Sequence, residues 1–292
     1  MFKTEIMDRI NVLKTYKLFI GGKFPRTESG RYFHVKSKNG DLLANMCLAS
    51  RKDFRNAVVF ARKSQRSWEG FSAINRGQVL YRVAEMLEGR KSQFIEEIIK
   101  TGESKSLAKK EVEKSIDRLI YYAGWSDKFQ QIFSSINPVA SDHFNFSVLQ
   151  PMGVTSVIAP NKYPLLGLVS LLAPIIVGGN SCVVLSSEEN PMASISFAEV
   201  INTSDVPFGV VNILSGKRNE LIPHFATHKD VNSIVYCGSN KKEINDIQKL
   251  SIENLKRVTI FKDKEWTSKD SQSPYYIEKF QEVKTIWHPN KI

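Results

Sequence analysis

Apolar positions change their spacing midway along the chain. In the first half they recur at helical intervals. Ser50 with Asp53 three residues on resembles a capping box, and Phe54, Val58 and Ala61 then share one helical face up to Trp68. Val79, Leu80, Val83, Ala84 and Leu87 predict a second helix ending near Gly89. Phe94, Ile95, Ile98 and Ile99 predict a third before Gly102, and a fourth covers residues 107–129. Ahead of them, residues 17–20 and 23–24 predict two short strands about the Gly21-Gly22 turn. So many one-sided stripes describe a helical layer that needs a partner surface.

From Asn145 the period becomes that of strands. Residues 146–149 and 154–158 are β-rich and flank Pro151-Met152-Gly153, and an apolar helix begins near Pro164. Short buried strands follow at 181–185, 210–214 and 233–236, separated by helical stretches at 192–201, 219–226 and 241–250. This alternation predicts an α/β fold with a doubly wound parallel sheet. Ligands of such sheets lie beyond the carboxyl ends of the strands, which marks residues 159–163, 186–188, 215–217 and 238–240. Residues 262–273 are polar, and Ile277, Val283, Ile286 and Trp287 then predict a closing strand. The polar stretch reads as a linker carrying that strand to a distant sheet or to another subunit's sheet. Three divisions result: a helical layer with its hairpin at 1–150, the alternating unit at 151–261, and linker plus closing strand at 262–292.

A chain of 292 residues, 42% of them hydrophobic, excludes a disordered protein. Forty-one Lys and Arg against thirty Asp and Glu leave a net charge of +11, scattered among acidic residues as in Glu111-Val112-Glu113-Lys114. No basic run interleaves with aromatics, so no nucleic-acid partner is expected. Residues 1–14 hold no continuous apolar stretch of signal-peptide type, and export is not expected. The most apolar region, 165–177, is broken by Ser170 and Pro174 and falls short of the ~20 residues of a membrane span, so no membrane partner is expected. Three widely spaced cysteines, Cys47, Cys182 and Cys237, fit a reducing compartment, with the cytoplasm as the default.

Single residues add little chemistry. Cys237 closes a strand but has no histidine near it in sequence, which favours an inert thiol; Cys182 and Cys47 read as core. His224 and His228 stand at i and i+4 without a third ligand, so no metal site is assigned. Lys162 reads as a solvated lysine rather than a Schiff-base former. A P-loop, a GxGxxG turn and a Gly-x-Ser-x-Gly elbow are all absent, which excludes a nucleoside triphosphatase and an ordinary esterase.

Taken in order, the segments resemble the aldehyde dehydrogenase superfamily. The resemblance begins at Leu18-Phe19-Ile20-Gly21-Gly22, runs through Ala57-Val58 to Trp68, Arg76 to Leu87 and Thr101-Gly102, and sharpens at Pro151-Met152-Gly153-Val154, Ile158-Ala159-Pro160 and Tyr163-Pro164-Leu165. Gly179-Asn180, Glu188, Pro191, Pro207, Gly209 to Asn212, Ser215-Gly216, Gly238-Ser239 and Asn254 to Val258 follow at the family's spacing. The resemblance implies a Rossmann-like cofactor domain with a helical and β bridging and oligomerisation region, and oxidation of aldehydes with NAD or NADP. It also implies a cysteine nucleophile, a glutamate base and an asparagine oxyanion donor.

By that resemblance no catalytic residue is assigned here. Lys162 stands at the asparagine's position and Phe261, in Ile260-Phe261-Lys262-Asp263, at the glutamate's; the domain that would carry the cysteine is missing. Ile158, Ala159, Pro160, Glu188, Ser215, Gly216, Gly238 and Ser239 match the cofactor-binding positions. Leu185 replaces a ribose-binding lysine, and Glu243 stands where a second phosphate glycine belongs, so no cofactor is expected and NAD or NADP binding is weak at most. These losses, with the closing strand at Tyr276 to Trp287 retained, resemble the truncated second unit of aldehyde dehydrogenase family 16. The expectation is a truncated, non-catalytic pseudoenzyme acting as an oligomerising or regulatory subunit, with itself or a full-length aldehyde dehydrogenase as partner. The alternatives are a component of an active dehydrogenase complex and a nucleotide or small-molecule binder.

Overall fold

The computed structural model describes residues 12–262 and 264–290. The leading stretch assigned no export character lies, through residue 11, outside the described residues, as does Asp263. The chain opens with a small sheet that the apolar pattern did not announce. Its strands β1 (Thr15–Tyr16), β2 (Tyr32–Lys36) and β3 (Leu42–Cys47) stand in the order β1-β3-β2, with β2 antiparallel to β3. The predicted hairpin at 17–24 is a tight turn closed by one bridge, Ile20 to Lys23, while Phe19 pairs instead with Ile213.

Four helices then appear where the periodicity places them. Helix α1 (Arg51–Glu69) starts at a full capping box, in which Ser50 accepts from the N–H of Asp53 and the Asp53 carboxylate accepts from the Ser50 N–H at 2.8 Å. It is followed by α2 (Ala73–Gly89), α3 (Lys91–Lys100) and α4 (Lys105–Trp125), then the short α5 (Phe129–Phe133). Strands β4 (Ser135–Asn137) and β5 (His143–Pro151) begin a second three-stranded sheet.

The alternating half builds the main sheet. Its elements are β6 (Val154–Ile158), α6 (Pro164–Val177), β7 (Ser181–Leu185), α7 (Met192–Asn202), β8 (Val211–Leu214), α8 (Arg218–Thr227), β9 (Ser233–Cys237), α9 (Lys241–Leu250) and β10 (Arg257–Phe261). All five strands run parallel in the order β10-β9-β6-β7-β8. Every residue of β6 to β9 is buried, which is why these strands read as unbroken apolar runs. Helix α6 is buried on all sides and correspondingly apolar all round. It is held by the first-half helices: Trp68 of α1 donates its indole N–H to the Ile176 carbonyl at 2.8 Å. The other face of the sheet is covered by Phe54, Val58, Leu221, Phe225, Ile244 and Ile247.

After β10 the chain departs from the expected linker. Within residues 264–273, Trp266 and Ser271 are buried, and the segment packs on α4 and α6 before α10 (Tyr275–Glu278) and β11 (Gln281–Pro289). Its polar composition hid this, because one buried indole, Trp266, and backbone carbonyls bound by Arg118 make the attachment, and neither leaves a periodic signal. β11 pairs antiparallel with β5 of the same chain from Gln281 opposite Pro151 to Pro289 opposite His143. No helix among the described residues is long and apolar enough to cross a membrane.

Candidate functional site

Strand order in the main sheet reverses at β6. The next strand in the chain, β7, lies on one side of it, and β9, reached after β8, lies on the other. At such a switch point the loops leaving neighbouring strands diverge, and a crevice opens at their carboxyl ends. A cavity of about 600 Å³ lies there. It is lined by Pro160, Asn161 and Lys162 after β6, Glu188 and Glu189 after β7, Arg218 at the start of α8, and Gly238 to Asn240 after β9. Phe261, Lys264, Glu265 and Trp266 form the far wall.

On the β7 side the loops are braced by side-chain hydrogen bonds. Asn161 donates to Glu189 at 2.7 Å and accepts from the Glu188 N–H at 3.2 Å. The Glu188 carboxylate accepts from the Arg218 N–H at 2.9 Å and from Lys217 Nζ at 3.0 Å. Burial pulls its pKa upward, but the Arg218 N–H and the Lys217 ammonium outweigh this and leave it below the usual carboxylate value. Arg218 reaches under the β6 loop to the Ala159 carbonyl at 2.5 Å and faces Glu243 at 3.9 Å. Its Nε is buried without a partner among the described residues.

Across the switch point, Tyr236 donates its hydroxyl to Glu243 at 2.6 Å, and burial first, then Glu243, holds that hydroxyl protonated well above its ordinary range. Gly238 admits this contact, since a Cβ there would stand 2.7 Å from the Tyr236 hydroxyl. Glu243, expected to repel a diphosphate, is thus turned to the Tyr236 hydroxyl and faces one guanidinium. Cys237 also borders the cavity, yet it is buried and its thiol is pushed up by that burial. Cys47 and Cys182 are buried as well.

The cleft gathers six of the ten positions singled out in the sequence: Pro160, Lys162, Glu188, Gly238, Ser239 and Phe261. Ile158 and Ala159 lie beneath its floor, Ala159 donating its N–H to the Leu185 carbonyl at 2.9 Å. Ser215 turns away, its hydroxyl on the Cys47 carbonyl at 2.6 Å, and Gly216 follows it toward Ala49 and Leu221. Arg218, Tyr236 and Trp266 were missed. Arg218 falls one residue past a marked strand end, whereas Trp266 sits in a stretch with no periodic signal. His224 and His228 are both pushed below their ordinary value chiefly by burial, and no group of three potential metal ligands occurs among the described residues.

Comparison with known proteins places this architecture. Residues 25–261 match the aldehyde dehydrogenase family. The chain is 29% identical over 262 residues to the cytosolic 10-formyltetrahydrofolate dehydrogenase of Mus musculus, covering 88% of this chain and 29% of that one. It is 30% identical over 247 residues to an aldehyde dehydrogenase of Aspergillus niger, covering 83% and 49%. The NAD⁺ complex of the Bacillus cereus aldehyde dehydrogenase superposes with a TM-score of 0.80 at 25% identity, over 85% of this chain and 51% of that one. PnpE from Pseudomonas sp. WBC-3 does so with a TM-score of 0.80 at 26% identity, over 85% and 50%. The chain thus spans about half the length of the solved structures it matches and under a third of the formyltetrahydrofolate dehydrogenase.

These findings correct the expectation of a truncated unit of the family-16 kind. The match runs over 25–261, most of the chain, as one family domain, and the superposition covers 85% of it. They also overturn the pseudoenzyme reading, the non-catalytic oligomerising or regulatory subunit, and the inactivity ascribed to a missing cysteine domain, glutamate and asparagine. The relatives are named as dehydrogenases, and the domain matched is theirs. The physical reason is that single motif residues, such as Lys162 and Phe261, report local chemistry, whereas the domain is specified by its burial pattern and strand order, and these are intact. The parallel sheet is of the NAD(P)-binding kind. The chain belongs to the aldehyde dehydrogenase family.

Proposed function

We propose that this chain is an oxidoreductase of the aldehyde dehydrogenase kind, which binds NAD or NADP in the switch-point cleft and acts with it on aldehydes. The observation that carries this reading is the cleft itself, placed between the loops after β6 and β9 with cation, carboxylate and aromatic groups converging on it. The residues present fit a dinucleotide. Glu188, fixed as a carboxylate by Lys217 and the Arg218 N–H, suits a ribose diol. The unpartnered buried Nε of Arg218 is a donor awaiting an anionic oxygen, which a phosphate would supply. Phe261 and Trp266, 5.8 Å apart between ring centroids, offer an apolar wall for the far end of the ligand.

When bound, the nicotinamide supplies a hydride acceptor. The chain's own part is to hold and orient it: Glu188 and Arg218 on one side, the Lys264 to Trp266 wall on the other, with Asn161 bracing the loop between. Aldehydes as the substrate class follow from the names of the relatives. A second copy of the chain, met along the outer edge of β11, is the partner proposed with this reading, because Val283 and Trp287 stand exposed on that strand.

Calorimetric titration with NAD⁺ and NADP⁺, followed by aldehyde-dependent formation of reduced nicotinamide, tests the proposal. Saturable binding that weakens about tenfold in Glu188→Ala, the loss of one charge-assisted hydrogen-bonded contact, is expected. Absence of binding by either dinucleotide would overturn it.

A further inference from the structure

Both walls of the cleft are fastened to one face of a single helix that does not itself line it. Glu111 and Arg118 of α4 lie seven residues apart, two helical turns, so their side chains point the same way, toward α6. The Glu111 carboxylate accepts from the N–H groups of Leu165 at 2.9 Å and Leu166 at 3.2 Å. It thereby caps α6, whose own cap residue Tyr163 contributes no side-chain hydrogen bond, and so fixes the helix start that directly follows the loop Pro160 to Lys162. Arg118 is buried, and its guanidinium donates to the Trp266 carbonyl at 3.1 Å, to the Ser271 carbonyl and to Ser170 Oγ of α6 at 2.7 Å. One turn on, Tyr122 donates to the Ser273 carbonyl at 3.3 Å and extends the seam. The two walls approach each other at their rim, where burial first and then Glu265 raise the Tyr163 hydroxyl above its ordinary value.

Arg118 does not balance a carboxylate. Among the described residues every hydrogen bond it makes is to an uncharged oxygen, two of them backbone carbonyls in the segment 264–273 that holds few buried side chains of its own. A buried guanidinium is costly to desolvate, and an apolar side chain of its size would pack as well in a core. What it supplies that an apolar residue cannot is a fixed fork, able to hold two chain carbonyls and a helix side chain in one plane. We propose that Arg118 is a positioning residue for the cleft, holding the Lys264 to Trp266 wall at the distance from Asn161 and Lys162 that the far half of a bound dinucleotide requires. This rests on the function proposed above and goes beyond it by assigning the far-side affinity to a residue that touches no ligand.

The experiment compares the native chain with Arg118→Met and Ser170→Ala, titrating NAD⁺ and, separately, ADP, which reaches only the Glu188 side. In Arg118→Met the Kd for NAD⁺ is expected to rise about tenfold through lost pre-organisation, while that for ADP stays within about twofold. Ser170→Ala, which removes one acceptor and leaves both carbonyl contacts, should shift NAD⁺ in the same direction by about threefold and keeps the test alive if Arg118→Met does not fold. Hydrogen exchange of the native and variant chains supplies the readout that general destabilisation would not give: faster exchange confined to residues 264–273. Equal loss of NAD⁺ and ADP affinity, or unchanged NAD⁺ affinity with 264–273 still protected, would overturn the positioning role and leave the proposed function standing. Failure of the native chain to bind NAD⁺ would overturn both.

Discussion

At the scale of single residues, Glu111 is the group whose charge state the fold controls most directly. Burial raises its carboxyl to about 7, against the lowering pull of the Leu165 and Leu166 N–H groups. The folded chain therefore binds this proton more tightly than the unfolded one. The corresponding stability is complete below the unfolded carboxyl pKa and is lost as pH rises through about 7. Between pH 5 and pH 8 this group alone should take about 2–3 kcal/mol from the unfolding free energy. Urea unfolding of the native chain and of Glu111→Gln, which keeps an acceptor for the same N–H groups, checks this: the native chain should lose that amount relative to the variant across the interval. Parallel pH profiles would mean that Glu111 ionises in the fold as it does in water.

The relevant element is α6, which carries the cleft loop at its start and the core along its length. It lies so close to the β6 loop that a Cβ at Gly167 would stand 2.2 Å from Pro160 Cγ and 3.3 Å from the Trp266 indole nitrogen. Alanine would normally favour a helix by about 1 kcal/mol over glycine. Here a proline ring on one side and a buried indole on the other leave no room, and overpacking of this kind costs about 1–3 kcal/mol. Gly167→Ala should lower the melting temperature and weaken NAD⁺ binding together, since both the loop and the wall would have to move. An unchanged melting temperature would show that Pro160 gives way freely.

For the whole molecule, the two edges of the main sheet are treated differently. The β8 edge is covered by the pairing of Phe19 with Ile213, whereas β10 is an edge strand tied to β11 by the Arg257 to Glu282 ion pair at 3.1 Å. The three-stranded sheet β11-β5-β4 ends in β11, nine residues long, whose outer edge is unpaired among the described residues and on which Val283 and Trp287 are exposed. If a second copy meets this edge, light scattering should show a mass above one chain, rising with salt as repulsion between +11 chains is screened. The pair Val283→Lys and Trp287→Lys should return it to one chain with the melting temperature nearly unchanged. A single-chain mass for the native protein at all salt concentrations would remove β11 as a meeting edge.

Much of this architecture was legible from residue order. The strands at 154–158, 181–185 and 233–237 stand out because both of their faces are buried, and α1 because its cap and its stripe agree. The small sheet of β2 and β3 was hidden because most of its residues face solvent or pack partly, which leaves no clean alternation. Ser215 and Gly216 stood at a strand end, but which way a strand end turns depends on its neighbours; here Cys47 and Ala49 draw them out of the cleft. Arg118 and Glu111 read as ordinary charges on an amphipathic helix. Apart from Ser170, their partners are backbone groups 54 to 153 residues away, and backbone groups leave no mark in a sequence. Hydrophobic period thus determined the class of fold and the strand ends where a ligand would lie. The walls of the cleft, the partners of Glu243 and the helix face that fastens both walls were decided by tertiary contact, because each depends on which buried polar atoms meet when the layers close.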